Sequence, residues 1–318
     1  MRNYLFKRLF LTVLLLFLII SATFFIVNLA PGDPTRLYLN PDVPSNVYDQ
    51  LKKAYGLDKP LILRYFLFIK EALKGNLGYS FSYHQSVIKV LFDTLPNTLI
   101  LSGFALFIEY FFGISLGILI ALTKKKIIRL IYHFFSLLIY ATPSFWLGLV
   151  LIFIFSYKLK ILPPSHMYDI GQEGNILNIL KHLILPGFAL GFSSLFATSR
   201  FVFKTYEDVL KEPFILNHKL LGIKKREIYF KYALKNSLIP IITLFGLSFP
   251  FLVSGALLTE VIFSWPGMGR LTYGAILSRD YPLIIGASIL SSLMVLLGNL
   301  LADILYFIVD PRIRYEKL

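Results

Sequence analysis

The chain has 318 residues, 56% of them hydrophobic, with a mean hydropathy of +0.69, a net charge of +14 and no cysteine. Soluble globular chains sit near 45–50% apolar, so an ordinary water-soluble domain is excluded. The missing thiols exclude disulfides, zinc ribbons and cysteine nucleophiles. Nor does the positive charge form a nucleic-acid footprint, because the cations collect between apolar runs, where Lys and Arg mark the inner loops of membrane proteins.

A bilayer crossing needs about 20 apolar residues. Six runs meet that length: Leu9–Leu29, Leu99–Leu122, Ile131–Tyr157, His182–Phe203, Leu238–Phe263 and Leu283–Val309. The first follows Arg2, Lys7 and Arg8 like a signal peptide, but its apolar core continues past Ser21-Ala22-Thr23 through Phe24–Leu29. That is too long for a signal core, so it is expected to remain as a span.

The segment Pro31–Asp93 follows as a long outer loop with structure of its own. Asp58-Lys59-Pro60 opens an apolar run that ends at Gly75, which predicts a helix with proline at its start and a glycine stop. Its apolar face suits the outer membrane interface or the mouth of the bundle. Further on, Pro143 and Pro250 fall inside predicted spans, while Pro96, Pro186, Pro240 and Pro282 stand near the starts of others. A proline within a span kinks it, which neighbouring helices tolerate.

Charge orients these spans. With the N-terminus inside, the short inner segments hold Lys124-Lys125-Lys126 with Arg129 and the basic run Arg200–Lys235, while the outer loop rich in cations is too long to obey the rule. Both termini are therefore expected to be cytoplasmic. The chain reads as an all-α integral membrane protein with six transmembrane helices. It divides into an N-terminal span (1–30), an extracytoplasmic loop with amphipathic helices (31–94), a core of five spans (95–309) and a cytoplasmic tail (310–318).

Catalytic and nucleotide-binding signatures are missing from the sequence: there is no G-x-x-x-x-G-K-[ST], no H-E-x-x-H and no G-x-S-x-G. The histidines His84, His133, His166, His182 and His218 are too scattered for a helical metal site. Two acids fall within predicted spans, where an ionised group costs several kcal/mol unless paired or wet. Glu109 is a candidate for the wall of a substrate path, for a helix–helix hydrogen bond, or for a protonated acid buried in the bundle. Asp303 reads as structural, with Arg312 and Arg314 in reach.

The connection from Arg200 to Lys235 is long and charged. Glu212-Pro213 starts a helix that runs about two turns through Phe214–Leu221, and Gly222 stops it with a left-handed cap. A second helix is expected from Lys224 to Asn236, ending before Pro240. A membrane protein without a P-loop but with such a knuckle is suited to being moved by another protein.

This layout, with Lys235-Asn-Ser-Leu-Ile-Pro240 behind it, resembles the coupling loop (204–237) of ABC-importer permeases. The chain is similar to the first permease subunit of dipeptide, oligopeptide and nickel importers over nearly its whole length. The likeness runs through Leu29-Ala-Pro-Gly-Asp-Pro34, Tyr55-Gly-Leu-Asp-Lys-Pro-Leu61, Gly75-Asn-Leu-Gly-Tyr-Ser80, Leu95-Pro-Asn-Thr-Leu99 and Pro143-Ser-Phe-Trp-Leu-Gly148. It continues in Glu260-Val-Ile-Phe-Ser-Trp-Pro-Gly-Met-Gly-Arg-Leu271, Arg279-Asp-Tyr-Pro282 and Asp310-Pro-Arg-Ile-Arg314.

The resemblance implies a type I ABC importer permease fold in the bacterial inner membrane, a non-enzymatic translocation subunit paired with a homologous permease. Two ATPase subunits would dock inside, carrying ATP and magnesium, and an extracytoplasmic binding protein would deliver the solute. No cofactor is implied in this chain, and no nucleic-acid partner; membrane lipid surrounds it. Glu212, Pro213, His218, Lys219, Leu220 and Gly222 then form the ATPase-coupling element. The family pattern has small residues two and four before the glycine, where this chain has Leu220 and His218, and an acid where it has Pro213, with Glu212 one earlier. Either the ATPase groove matches that bulk or the docking geometry differs. Peptide, nickel or another small solute fits the resemblance, and an ion-coupled secondary transporter is the alternative class.

Overall fold

Proline and glycine place most of the helix ends, and helices make up nearly everything between them. The computed structural model describes residues 2–29, 58–248 and 257–309. Among these, extended pairing is limited to one isolated bridge between Tyr79 and Ser86. The stretch Leu29-Ala-Pro-Gly-Asp-Pro34 lies outside the described residues beyond Leu29, and Tyr55–Leu61 does so through Leu57, as do Pro250, Arg312, Arg314 and the side chain of Asp303.

The helices are α1 (Arg2–Leu29), α2 (Leu61–Leu73), α3 (Val87–Leu122), α4 (Lys126–Ala141) and α5 (Ser144–Leu151), the last running into a π-helical segment, Ile152–Lys158. Then come α6 (Ile176–Lys211) and α7 (Pro213–Leu220). One turn at Lys225–Glu227 and a π-helical segment at Ile228–Ala233 lead into α8 (Leu234–Ser248). After it stand α9 (Leu257–Ile262), α10 (Met268–Leu277) and α11 (Tyr281–Val309).

Four helices among the described residues are long and apolar enough to cross a membrane, in α1, α3, α6 and α11. The predicted third span is not one rod. Its halves α4 and α5 meet at 99° and make a fifth crossing only if taken together. Thr142, ahead of Pro143, is extended (ψ 126°), because the proline ring disfavours α geometry in the residue before it. The fifth predicted span is described only as far as Ser248 and again from Leu257.

Three prolines do not act as the sequence suggested. Pro96, Pro186 and Pro240 lie inside α3, α6 and α8 rather than at helix starts, and the predicted stop before Pro240 is overturned. In an apolar surrounding, leaving the helix exposes every backbone group, whereas a proline sacrifices only one hydrogen bond. By contrast, Asn175 caps α6 as its side chain allows, accepting from the amides of Leu177 and Asn178.

Contacts group the residues into two compact units. The first holds Met1–Thr98, Val253–Leu257 and Pro266–Leu296. There α2 lies along α1: Phe24 is buried, stacked on Phe68 and edge-on to Tyr65, and Arg64 donates to Asn28 Oδ1. The predicted loop helix is thus seated on the first span, and Gly75 (φ 83°) ends it. Asp280 caps α11 through the Leu283 amide (3.2 Å) and also accepts from Ser80 Oγ (2.6 Å) and the Ser82 amide (2.9 Å). Asn97 Nδ2 reaches the Pro266 carbonyl (2.9 Å), and Thr98 Oγ1 takes the Met268 amide (2.7 Å). Four sequence motifs therefore meet pairwise: Gly75–Ser80 with Arg279–Pro282, and Leu95–Leu99 with Glu260–Leu271.

The second unit holds Leu99–Leu252, Leu258–Trp265 and Leu297–Leu318. Its core is the approach of α3 and α6. A Cβ on Gly117 would lie 2.6 Å from the Ser199 carbonyl oxygen, and one on Gly191 would lie 2.6 Å from that of Ala105. Backbones this close admit only glycine, the packing that G-x-x-x-G spacings allow between membrane helices. Both helices carry that spacing, Gly113–Gly117 and Gly187–Gly191. Outside the spans, the loop before α6 is tied by Asn178, whose amide holds the exposed Asp169 carboxyl below the usual aspartate range. His182 Nδ1 sits between the carbonyls of Ser165 (2.9 Å) and His166 (3.1 Å), so it carries a proton.

Candidate functional site

Two features of the second unit carry the chemistry that the sequence raised. The first is the knuckle after α6. The helix ends at Glu212, whose extended backbone (ψ 144°) is set by the proline that follows, and Pro213 is the first residue of α7. Two turns later Gly222 takes φ 72°, while the Gly222 amide bonds to Lys219 O (3.1 Å) and the Ile223 amide to His218 O (3.1 Å). No atom lies within 4 Å of where a Gly222 Cβ would stand, so the glycine is required by backbone conformation rather than by space.

One residue anchors this short helix. Ile215 is fully buried in a cluster with Val202 and Tyr206 of α6 and Ile228 of the π segment. Tyr206 Oη donates to the Tyr229 carbonyl (2.9 Å) alongside it. The other face is open: Leu216 is 58% exposed, Leu220 and Leu221 are 78% exposed, and Lys219 and Gly222 are also exposed. His218 turns the other way. Its ring packs 4.1 Å from the Tyr232 ring and its Nδ1 donates to the Phe214 carbonyl. The coupling candidates thus divide into an outward group, Lys219, Leu220 and Gly222, a hinge, Glu212 and Pro213, and an inward brace, His218.

The second feature is a cleft along α6. A cavity of about 370 Å³ is lined by Glu109, Tyr140, Ser193, Ser194, Ala197, Thr198, Phe201 and Leu244. A second, of about 520 Å³, shares Tyr140, Ala197 and Phe201 with it and adds His133, Arg200, Phe203 and Lys204. Among the described residues Glu109 has one hydrogen bond, from Thr198 Oγ1 to its Oε1 at 2.7 Å, across the close α3–α6 contact. Lys204 is engaged by Asp208 (3.0 Å), one turn along the same helix. The cleft was not legible in the sequence apart from Glu109. Only the stripe Ser193, Ala197, Arg200, Phe201 and Lys204, at helical spacing, hinted at it.

Residues 113–315 match the family described as binding-protein-dependent transport system inner membrane component, and residues 1–102 match its N-terminal membrane component. The chain belongs to that family. The Oligopeptide transport system permease protein AppB of Bacillus subtilis is 34% identical, covering 99% of this chain and all of the relative. The Di/tripeptide transport system permease protein DppB of Pseudomonas aeruginosa is 33% identical over the full length of both. The Glutathione transport system permease protein GsiC of Escherichia coli is 32% identical over 99% of this chain and all of that protein. This permease is therefore a multi-pass helical component of a binding-protein-dependent transport system in the bacterial inner membrane.

Proposed function

We propose that this permease lines half of the translocation path of an ATP-driven importer for short peptides, beside a second, homologous permease. Six spans would place both termini in the cytoplasm, residues 31–94 outside and the knuckle inside. Two ATPase subunits carrying ATP and magnesium would grip Leu216, Lys219, Leu220 and Gly222, and an extracytoplasmic binding protein would load the solute. The relatives' names, which mention oligopeptides, di/tripeptides and glutathione, support peptide over nickel.

The observation that carries this reading is the shape of the knuckle. A short helix exposes leucines at its tip while a single isoleucine roots it among the ends of two long helices. Exposed apolar groups in a charged loop mark a protein contact, and the buried root turns force on the tip into movement of α6 and of the helix leading into α8.

Lys219→Cys would be the only thiol in the chain. Crosslinking to a cysteine-scanned groove on a co-purifying ATPase should give a yield that changes with ATP. Assembly with no crosslink at any groove position would overturn the coupling role. In the same complex Gly222→Val should leave ATP turnover but abolish uptake, because a β-branched residue resists positive φ, whereas Gly222→Asn should retain uptake.

A further inference from the structure

Glu109 and Arg200 bear opposite charges on membrane-crossing helices, in two cavities that share three lining residues. Neither has an ion-pair partner among the described residues; Glu109 is met only by the Thr198 hydroxyl. A charge within the apolar length of a span, where Glu109 lies, is costly unless paired or wet, while Arg200 opens the basic run at the inner end of α6. Here they are held apart on one cleft, with Tyr140, Ala197 and Phe201 between them and the hydroxyls of Ser193 and Ser194 beside Glu109.

We infer that this cleft binds a short peptide by its two charged ends, with Glu109 taking the α-ammonium and Arg200 the α-carboxylate. This rests on the reading of the permease as half of a peptide path, and adds what that path recognises. Thr198, which holds Glu109, and Arg200 are two residues apart on α6 and so flank the face that carries Ala197 and Phe201 from either side, about 160° apart around the helix. With the reach of an arginine side chain added, the two charges suit a di- or tripeptide, which extends at most about 7–11 Å. The guanidinium meets a carboxylate with two parallel hydrogen bonds. The aromatic middle accepts side chains without selecting among them, and the volumes are in the range of small-ligand sites, about 300–1,000 Å³. A neutral-ended solute would leave both half-buried charges unpaired, an arrangement that discriminates against an analogue lacking the matching group. Lys204 is drawn off by Asp208, so among the described residues Arg200 is the cleft's cation without an ion pair.

The test uses the assembled transporter without its binding protein, so that the binding protein's own preferences do not enter. Ala197→Cys, or Ser194→Cys where the first does not assemble, places a single thiol of this chain in the cleft, and its maleimide labelling is timed. Tri-alanine should slow labelling, while N-acetyl-tri-alanine and tri-alanine amide should each protect roughly tenfold more weakly, the scale of one charge-assisted hydrogen bond. Arg200→Gln should erase the difference between acid and amide alone, Arg200→Lys should restore part of it, and Glu109→Gln should erase only the difference made by acetylation. Equal protection by all three peptides would overturn recognition of the ends while leaving a peptide path intact. No protection by any of them, in a complex that still imports peptide with its binding protein, would remove the cleft from the path. A complete wild-type transporter that imports no peptide would defeat the peptide reading, and this inference with it.

Discussion

Asp280 and Glu109 are carboxylates in largely apolar surroundings, and the chain treats them in opposite ways. Asp280 is fully buried and accepts from two amides and a hydroxyl drawn from two distant stretches of sequence. Glu109 opens on a cavity and has one hydroxyl. A carboxylate that accepts several fixed hydrogen bonds is committed to holding the structure, and removing it orphans every donor. One left with most of its lone pairs free holds little together and is available to something that comes and goes. The difference separates an acid committed to structure from one left with open acceptor sites, without reference to how deep either lies.

Removing Asp280 should have the largest effect. Asp280→Ala leaves three donors without an acceptor and should cost on the order of 3 kcal/mol or more, read as lost thermal stability in detergent. A loss below about 1 kcal/mol would break the comparison, because Asp280 would then not be holding those elements. Next comes Gly191→Val, which forces a branched side chain against the Ala105 carbonyl. Overpacking of this kind should cost roughly 1–3 kcal/mol and loosen the contact that presents Glu109 to Thr198. A variant as stable as wild type would show that α3 and α6 can separate freely.

Glu109→Gln should sharpen the contrast. The amide oxygen still accepts from Thr198, so stability should change by less than about 1 kcal/mol, while peptide uptake falls. Stability lost on the scale of Asp280→Ala would make Glu109 structural too. The smallest effect belongs to the exposed Asp169. The Asn178 amide, with the nearby His182 ring and Lys181 in support, holds its pKa below the usual 3.8. Its contribution is therefore complete above that value and fades as the pH falls through the lower, folded one. Hydrogen-exchange protection in the loop before α6, taken relative to the intrinsic amide rate at each pH, should stay unchanged from neutral pH down to about 4 and fall only below it. Loosening that begins at pH 6 would assign the hold to a different group.

How much of this was legible beforehand depended on the range of the interaction. The left-handed turn at Gly222, the start at Pro213 and the glycine stop after α2 are decided within a few residues, and the sequence shows them. The prolines mislead because their local effect differs between water and an apolar surrounding. Pro240 would end a solvated helix, yet within apolar surroundings the helix runs through it. The G-x-x-x-G spacings at Gly113–Gly117 and Gly187–Gly191 were visible signals of where α3 and α6 meet. They do not settle the pairing, because nothing local says which two helices will meet.

The sequence by itself determined that this protein lives in a membrane, which segments are apolar enough to cross it, that a glycine-capped knuckle interrupts them, and which family it joins. These follow from composition, run length and short-range backbone preference, which act before any helix meets another. Only the tertiary structure decided that His218 turns inward while Leu220 faces out, that Asp280 is spent on Ser80 and Ser82, and that Glu109 and Arg200 line cavities that share Tyr140, Ala197 and Phe201. Each of those depends on which helix faces are brought together, and close packing between distant segments settles that.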